Sequence, residues 1–291
     1  MASQAGMIPA PDIELQDMQI LFAGLLMGAG TQYDLTEDAD FLDMAALKTM
    51  DASRDWADGS WTGPDYADVL LPELTIEIWE EGAAGITDSL SAFRRAFTAR
   101  AEPVPLWVKL PGLDPIGTWA KANKRSIPVT NAFEHLAVAD VQWRCPEGTW
   151  QSVPRSIQLQ ASATQVAGLE FPLFADGALN FGTTSQLPST AVLTNDGNAP
   201  AWLVGLVEGP IPAGWSFAVD GHVVRYGEDL AAGQAVTIDY SSGQATLADG
   251  NDRSYALLER DFAPVPAGGT SNIAFTAASG QALITTADIW R

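Results

Sequence analysis

Two histidines and one cysteine are the side chains of this 291-residue sequence best suited to nucleophilic or proton-transfer chemistry: His135, His222 and Cys145. A zinc site needs four Cys, His or carboxylate ligands at close spacing, and these three residues do not make one. A Ser-His-Asp triad is not excluded by count. However, neither histidine lies in a glycine-rich elbow, and no Gly-x-Ser-x-Gly occurs. Cys145 follows the alternation Ala137, Ala139, Val141, Trp143, which makes it a buried, inert thiol. As the only cysteine it excludes an internal disulfide. Asp51, Asp55, Asp58, Asp65 and Asp68 suggest calcium, but their spacing lacks the alternating ligands, central Gly and closing Glu of a calcium loop. They are expected to form a solvated acidic loop. No glycine-rich phosphate loop precedes a helix. The expectation is therefore no catalytic residue, no cofactor and no metal.

The ten tryptophans, Trp56, Trp61, Trp79, Trp107, Trp119, Trp143, Trp150, Trp202, Trp215 and Trp290, could stack on sugar rings. Their spread along the whole chain favours cores and subunit interfaces instead.

The elements that would position these residues follow from patterning. Residues 1–17 look like an irregular arm broken by Pro9 and Pro11. Residues 19–27 form an apolar run that reads as one buried strand, stopped by Gly28-Ala29-Gly30. Asp51–Asp65 reads as a polar loop. In Glu73–Glu81, Leu74, Ile76 and Ile78 alternate with Thr75, Glu77 and Trp79, the period-two signature of a half-buried strand. A helix follows, capped by Thr87 or Asp88. Leu90, Phe93 and Phe97 make its apolar stripe, Arg94, Arg95 and Arg100 lie outside the stripe toward its C-terminal end, and Pro103 closes the segment. Val104–Leu110 and His135–Cys145 read as further strands.

Gln151–Arg155 is the expected domain junction, giving domains 1–155 and 156–291. Beyond it, short apolar runs alternate with turns such as Asp220-Gly221 and Ser242-Gly243. Eight strands are expected, Ser156–Ala161, Thr190–Thr194, Ala201–Val207, Trp215–Val219, Gln234–Tyr240, Tyr255–Leu258, Asn272–Thr276 and Ala282–Trp290, in a jelly-roll or galectin-like sandwich. The fold class is mainly β: a β-rich N-terminal domain with one helix, then a β-sandwich.

Composition agrees with two real cores. Hydrophobic residues make up 47% and charged residues 18%, which excludes a disordered chain. The net charge of −21 excludes nucleic-acid binding and docking on an anionic membrane, both of which need Lys and Arg. The imbalance is uneven: Asp34 to Glu81 holds 14 acids against Lys48 and Arg54. Residues 1–17 lack a basic signal region and the run Met18–Met27 is too short to span a bilayer, so the protein is expected to be soluble.

A series of short motifs runs through both halves of the chain. The N-terminal half carries Phe22-Ala23-Gly24, the acidic stretch Arg54-Asp55-Trp56-Ala57-Asp58-Gly59 with Gly63, the strand Leu74–Trp79 before a helix, Val104-Pro105-Leu106-Trp107, and Ala139-Asp140-Val141-Gln142-Trp143. The C-terminal half carries Leu193-Thr194-Asn195-Asp196-Gly197-Asn198-Ala199, Val207-Glu208-Gly209-Pro210, Leu230-Ala231-Ala232-Gly233 with Val236-Thr237-Ile238-Asp239, and Phe262 through Pro266-Ala267-Gly268-Gly269 with Asn272-Ile273-Ala274-Phe275. In their order along the chain, these motifs resemble the distal tail protein (Dit-like, also called minor tail protein) of long-tailed, siphovirus phages, and the resemblance implies a structural component of the tail tip. Six copies would form a ring closed by the N-terminal domain, with the galectin-like domain projecting outward. The ring would join the tail tube to the tip, with tail tube protein, tape measure protein, tail hub protein and receptor-binding proteins as partners. The implied location is the virion, after synthesis in the host bacterial cytoplasm. The alternative is a carbohydrate-binding module for host cell-wall attachment. The galectin sugar site uses His-x-Asn-x-Arg on a strand, and His222-Val223-Val224-Arg225 does not reproduce it.

Overall fold

The structure, a computed structural model, describes residues 6–36, 40–79, 86–128, 136–161 and 188–291. The chain divides into two compact units, Met1–Pro154 with Asp288–Arg291, and Arg155–Ala287. Among the described residues the fold is mainly β, with one α-helix.

The first unit contains β1 (Gln19–Phe22), β2 (Leu25–Gly28), β3 (Tyr33–Leu35), β4 (Leu47–Thr49), β5 (Ala52–Ser53), β6 (Ser60–Trp61), β7 (Asp65–Ala67), β8 (Glu73–Trp79), α1 (Thr87–Ala96), β9 (Val104–Lys109), β10 (Ile116–Ser126), β11 (Leu136–Arg144) and β12 (Trp150–Ser152). Its main sheet runs β2-β1-β9-β10-β11-β8-β3, all antiparallel. The edge strands β2 and β3 lie side by side, so the sheet nearly closes on itself. Alternation in β8 is as expected: Leu74, Ile76 and Ile78 are buried, while Thr75, Glu77 and Trp79 are half-buried.

The expected single strand over residues 19–27 is instead a hairpin. Ala23 and Gly24 both take positive φ, 52° and 79°, which suits the two-residue turn whose twist matches paired strands. An apolar run carries no mark of this reversal, because the side chains of both arms are buried or half-buried. The expected helix is present and begins at Thr87, but neither Thr87 nor Asp88 caps it: the N-cap position is Ile86 and no side chain bonds there. Its stripe is correct. Phe93 and Phe97 are buried, with Leu90 packed beside them. Phe97 meets Phe22 of β1 and Trp143 of β11, at centroid separations of 5.2 and 5.4 Å, and Phe93 stacks on Tyr33 of β3 at 5.9 Å. The Tyr33 hydroxyl donates to the Ser89 carbonyl at 2.9 Å. Four elements thus share one aromatic core. The N-terminal segment covers another face of the sheet through Ile8 and Leu15, which cluster with Trp107. Gly117 leaves room for the Trp107 indole, since a Cβ there would stand 2.6 Å from it.

The second unit contains β13 (Arg155–Gln160), β14 (Thr190–Asn195), β15 (Val204–Glu208), β16 (Trp215–Val219), β17 (His222–Tyr226), β18 (Ala235–Asp239), β19 (Gln244–Leu247), β20 (Leu257–Arg260), β21 (Gly269–Ala277) and β22 (Gln281–Thr286). They form two five-stranded antiparallel sheets, β13-β22-β15-β18-β19 and β14-β21-β16-β17-β20. The sheets face each other. Gly205 of β15 opposes Phe217 of β16 so closely that a Cβ would sit 2.7 Å from the ring. Among the described residues ten strands stand where eight were expected. β17 and β19 escape the apolar-run reading because each is short and carries polar or small residues, and the Asp220-Gly221 and Ser242-Gly243 turns tie them to their neighbours. The run Ala282–Trp290 is also not one strand. After β22 the chain leaves the sandwich, and β23 (Ile289–Trp290) pairs with β12 of the first unit, Trp150 opposite Trp290. The last four residues therefore belong to the first unit, held by the Ser152 amide donating to the Asp288 carbonyl at 2.9 Å.

Candidate functional site

The stretch expected as a polar loop, Asp51–Asp65, is a protruding hairpin. β4 pairs with β7 and, nested inside, β5 pairs with β6. At the tip the Arg54 amide donates to the Gly59 carbonyl at 3.3 Å, and Gly59 takes φ +90° to close the loop Asp55-Trp56-Ala57-Asp58. At the root the Asp68 amide donates to the Ala46 carbonyl at 2.7 Å and Lys48 bridges to Asp68 at 2.7 Å. Leu70 then exchanges backbone hydrogen bonds with Cys145, fixing the arm to the main sheet. The Lys48 ammonium and the Val69 amide hold the Asp68 carboxyl below the usual carboxylate range.

Residues 42–66 carry seven of the sixteen large apolar side chains exposed among the described residues: Leu42, Met44, Leu47, Met50, Trp56, Trp61 and Tyr66. Trp56 is 99% exposed. A monomeric protein rarely concentrates apolar surface on so short a segment, and such a patch marks an interaction surface. Arg54 lies over the Trp61 ring, 4.7 Å from its centroid, a cation–π contact.

A second surface lies at the C-terminal half of α1. Ser91, Arg94, Arg95, Thr98 and Arg125 line an open depression of about 450 Å³, with no carboxylate among the described lining residues. Arg125 is fixed there by donating to the carbonyls of Arg94 and Phe97 at 2.9 and 3.0 Å. Arg100 reaches the Ala96 carbonyl at 3.5 Å, and Lys121 donates to Ala101. Arg100 and Arg125 thus meet the free carbonyls at the negative end of the helix, and Lys121 binds the chain just beyond it. The expectation for Arg94, Arg95 and Arg100 at this end therefore holds. Its extension to Arg125 and Lys121, on another strand, had no sequence signal.

The candidate chemical residues are scattered. Cys145 is buried and burial pushes its thiol up to about 12. His222 stands on the sandwich with Nδ1 3.0 Å from Asp261 Oδ2, both largely exposed. His135 lies outside the described residues. Asp51 accepts from the Gly63 amide at 2.9 Å, which closes a turn inside the arm. Asp55, Asp58 and Asp65 are exposed along it. Among the described residues no three His, Cys, Asp or Glu side chains gather as a metal cluster would. The tryptophans divide as packing predicts. Trp107, Trp143, Trp150 and Trp215 are buried, while Trp56 and Trp61 stand out on the arm. No helix among the described residues is long and apolar enough to cross a membrane.

No protein-family profile matches the sequence, and no curated protein matches it. Solved structures do. The chain is similar to the Dit protein of phage SPP1, described as a hub of the adsorption apparatus of phages infecting Gram-positive bacteria. The TM-score is 0.64 at 9% identity, covering 94% of this chain and 99% of that one. It is also similar to a chain of the phage p2 baseplate in its activated conformation, with a TM-score of 0.50 at 9% identity, covering 89% of this chain and 91% of that one. The fold is that of the phage Dit hub protein. The same baseplate with strontium gives a like result, covering 91% of this chain and 96% of that one.

Proposed function

We propose that the chain is a structural subunit of a phage tail tip, a distal tail protein. Six copies close into a ring through the first unit, and the ring joins the tail tube to the tip and receptor-binding apparatus. The second unit, a galectin-like sandwich, projects outward toward host attachment. The chain works by assembly and not by catalysis, with the tail tube, tape measure and tail hub proteins as neighbours.

The observation that carries this reading is the span of the fold likeness: both units, in order, match a Dit hub chain over nearly the whole length of each. The exposed apolar arm supports it independently, since a ring subunit needs a surface to give to its neighbour. Part of the acid excess between Asp34 and Glu81 faces the central channel, where negative charge repels DNA phosphates and keeps the genome from sticking during passage. Native mass spectrometry of the purified chain tests the ring, with six times the 30.9 kDa chain mass as the expected species. A monomer at every concentration would contradict it. A neutral or basic channel wall in an image of the assembled tip would sink the channel reading alone.

A further inference from the structure

The arm and the α1 depression have matching chemistry and do not meet within one chain. Trp56 is 99% exposed, and no arm residue lines the depression. The arm tip presents an indole between two exposed carboxylates, Asp55 and Asp58. The depression presents three guanidinium groups and two hydroxyls. In a chain of net charge −21, a site whose described lining residues are three arginines and two hydroxyl residues, with no acid among them, is the exception that needs an occupant. Among the described residues neither Arg94 nor Arg95 forms an ion pair.

We propose that the arm tip of one copy inserts into the α1 depression of the next copy, so that this contact, repeated head to tail, closes the ring. The proposal rests on the ring reading above and names the surfaces that make it. Trp56 enters the depression and stacks on guanidinium, where Arg is the preferred cation for an aromatic face. Asp55 and Asp58 pair with Arg94 and Arg95 as charge-assisted hydrogen bonds. Arg125, already anchored on the carbonyls of Arg94 and Phe97, is held in place before the tip arrives, which lowers the entropy of docking. The remaining exposed apolar residues, Met44, Leu47, Met50 and Tyr66 among them, extend the contact. A segment such as 42–66 supplies about the 20–30 residues that a standard interface uses on each side.

A head-to-tail contact of this kind uses two different patches of the subunit and forms a ring when its rotation closes. It also answers the charge problem of assembly. Copies that each carry −21 repel one another, but repulsion is screened over a Debye length of about 10 Å at 0.1 M salt. Contact pairs between Asp and Arg lie well inside that length and keep their attraction.

Charge exchange tests the contact. One variant carries Asp55→Lys and Asp58→Lys, and the other carries Arg94→Glu and Arg95→Glu. All four side chains are exposed, so both variants should keep the wild-type circular dichroism spectrum. Each variant alone meets like charge at the contact, and its association should weaken on the order of 100-fold or more. Mixed one to one, every interface pairs opposite charges again, and rings that alternate the two variants should return in native mass spectrometry. Trp56→Ala, with all charges intact, should also release monomers. Rings that persist in either charge variant would overturn this contact and leave the ring reading standing. Folded variants that stay monomeric when mixed would overturn it as well. A wild-type chain that never exceeds a monomer would instead remove the ring reading on which the contact depends.

Discussion

The first unit contains two hairpins of opposite fate. β1–β2 closes through Ala23-Gly24 and is buried in the sheet, with Ile20, Phe22 and Met27 in the core. The β4–β7 arm closes through Asp55-Trp56-Ala57-Asp58 and leaves its apolar side chains in water. Backbone pairing is common to both, so it does not account for the difference. The first hairpin is paired on its far side by β9, whereas among the described residues neither ladder of the arm has a third strand. A two-stranded ribbon is at best marginally stable in water. What the arm's sequence specifies is thus an exposed surface on a fixed root, and the folding free energy of the unit resides in the sheet and helix.

The sharpest way to break that division is a core aromatic against an arm aromatic. Phe93 is fully buried and stands 4.6 Å from Phe97 and 5.9 Å from Tyr33 by ring centroids. Phe93→Ala should lower stability by about 3–5 kcal/mol, measured by urea unfolding. Trp56→Ala, which removes the larger ring, should change stability by less than about 0.5 kcal/mol. Equal effects would mean that the arm is part of the core. Arg95→Ala, exposed on the same helix as Phe93, should behave like the Trp56 variant.

Glycines extend the comparison to the backbone. Gly28, at the end of the buried hairpin, has φ +99°, and a Cβ there would stand 1.9 Å from the Met18 carbonyl oxygen. Gly28→Ala must move backbone as well as bear left-handed strain, so it should cost more than about 2 kcal/mol in thermal or chemical unfolding. Gly59, at the arm tip, has φ +90° and open space around the missing Cβ. Gly59→Ala should bear only the strain, about 1–2 kcal/mol, and bear it locally. The unfolding midpoint of the unit should therefore stay where it is. A shift in that midpoint as large as that from Gly28→Ala would show that the arm folds cooperatively with the sheet.

The same two hairpins show what sequence can and cannot disclose. Where one face is buried and the other wet, as in β8, the pattern writes the strand directly. The stripe Leu90, Phe93, Phe97 likewise writes the helix. Where both strands of a hairpin are buried or half-buried, the run Ile20–Met27 is apolar throughout and the reversal inside it is silent. Where both are exposed, polar residues dominate and Asp51–Asp65 reads as a loop. Alternation reports burial contrast, and neither hairpin has it. The α1 depression fails for a different reason. Arg94 and Arg95 are legible on the helix, but Arg125 joins them only through the register of β10, which no local pattern fixes. The departure of Asp288–Arg291 from the sandwich is similarly a pairing across the length of the chain, Trp150 with Trp290.

The arm root is where the exposed and buried regimes meet, and Cys145 sits there. Its backbone is clamped to Leu70, three residues beyond the last arm strand, while its thiol points into the core of the main sheet. Burial raises the thiol to about 12 from an ordinary value of 9.0. The folded unit therefore holds Cys145 neutral where an unfolded chain would ionise it. The stability from this site is complete below about pH 9 and is lost as pH rises toward about 12. At pH 8 the thiolate needed for alkylation is present only in molecules that have opened. As the only cysteine in the chain, Cys145 reports on this junction alone. Native protein treated with iodoacetamide at pH 8 should stay unmodified, and labelling should rise with the urea unfolding transition of the Phe93 core. Labelling that precedes this transition, while the core aromatics keep their near-ultraviolet circular dichroism, would show that the root opens with the arm. The boundary between mobile surface and packed core would then lie inside the sheet rather than at Leu70.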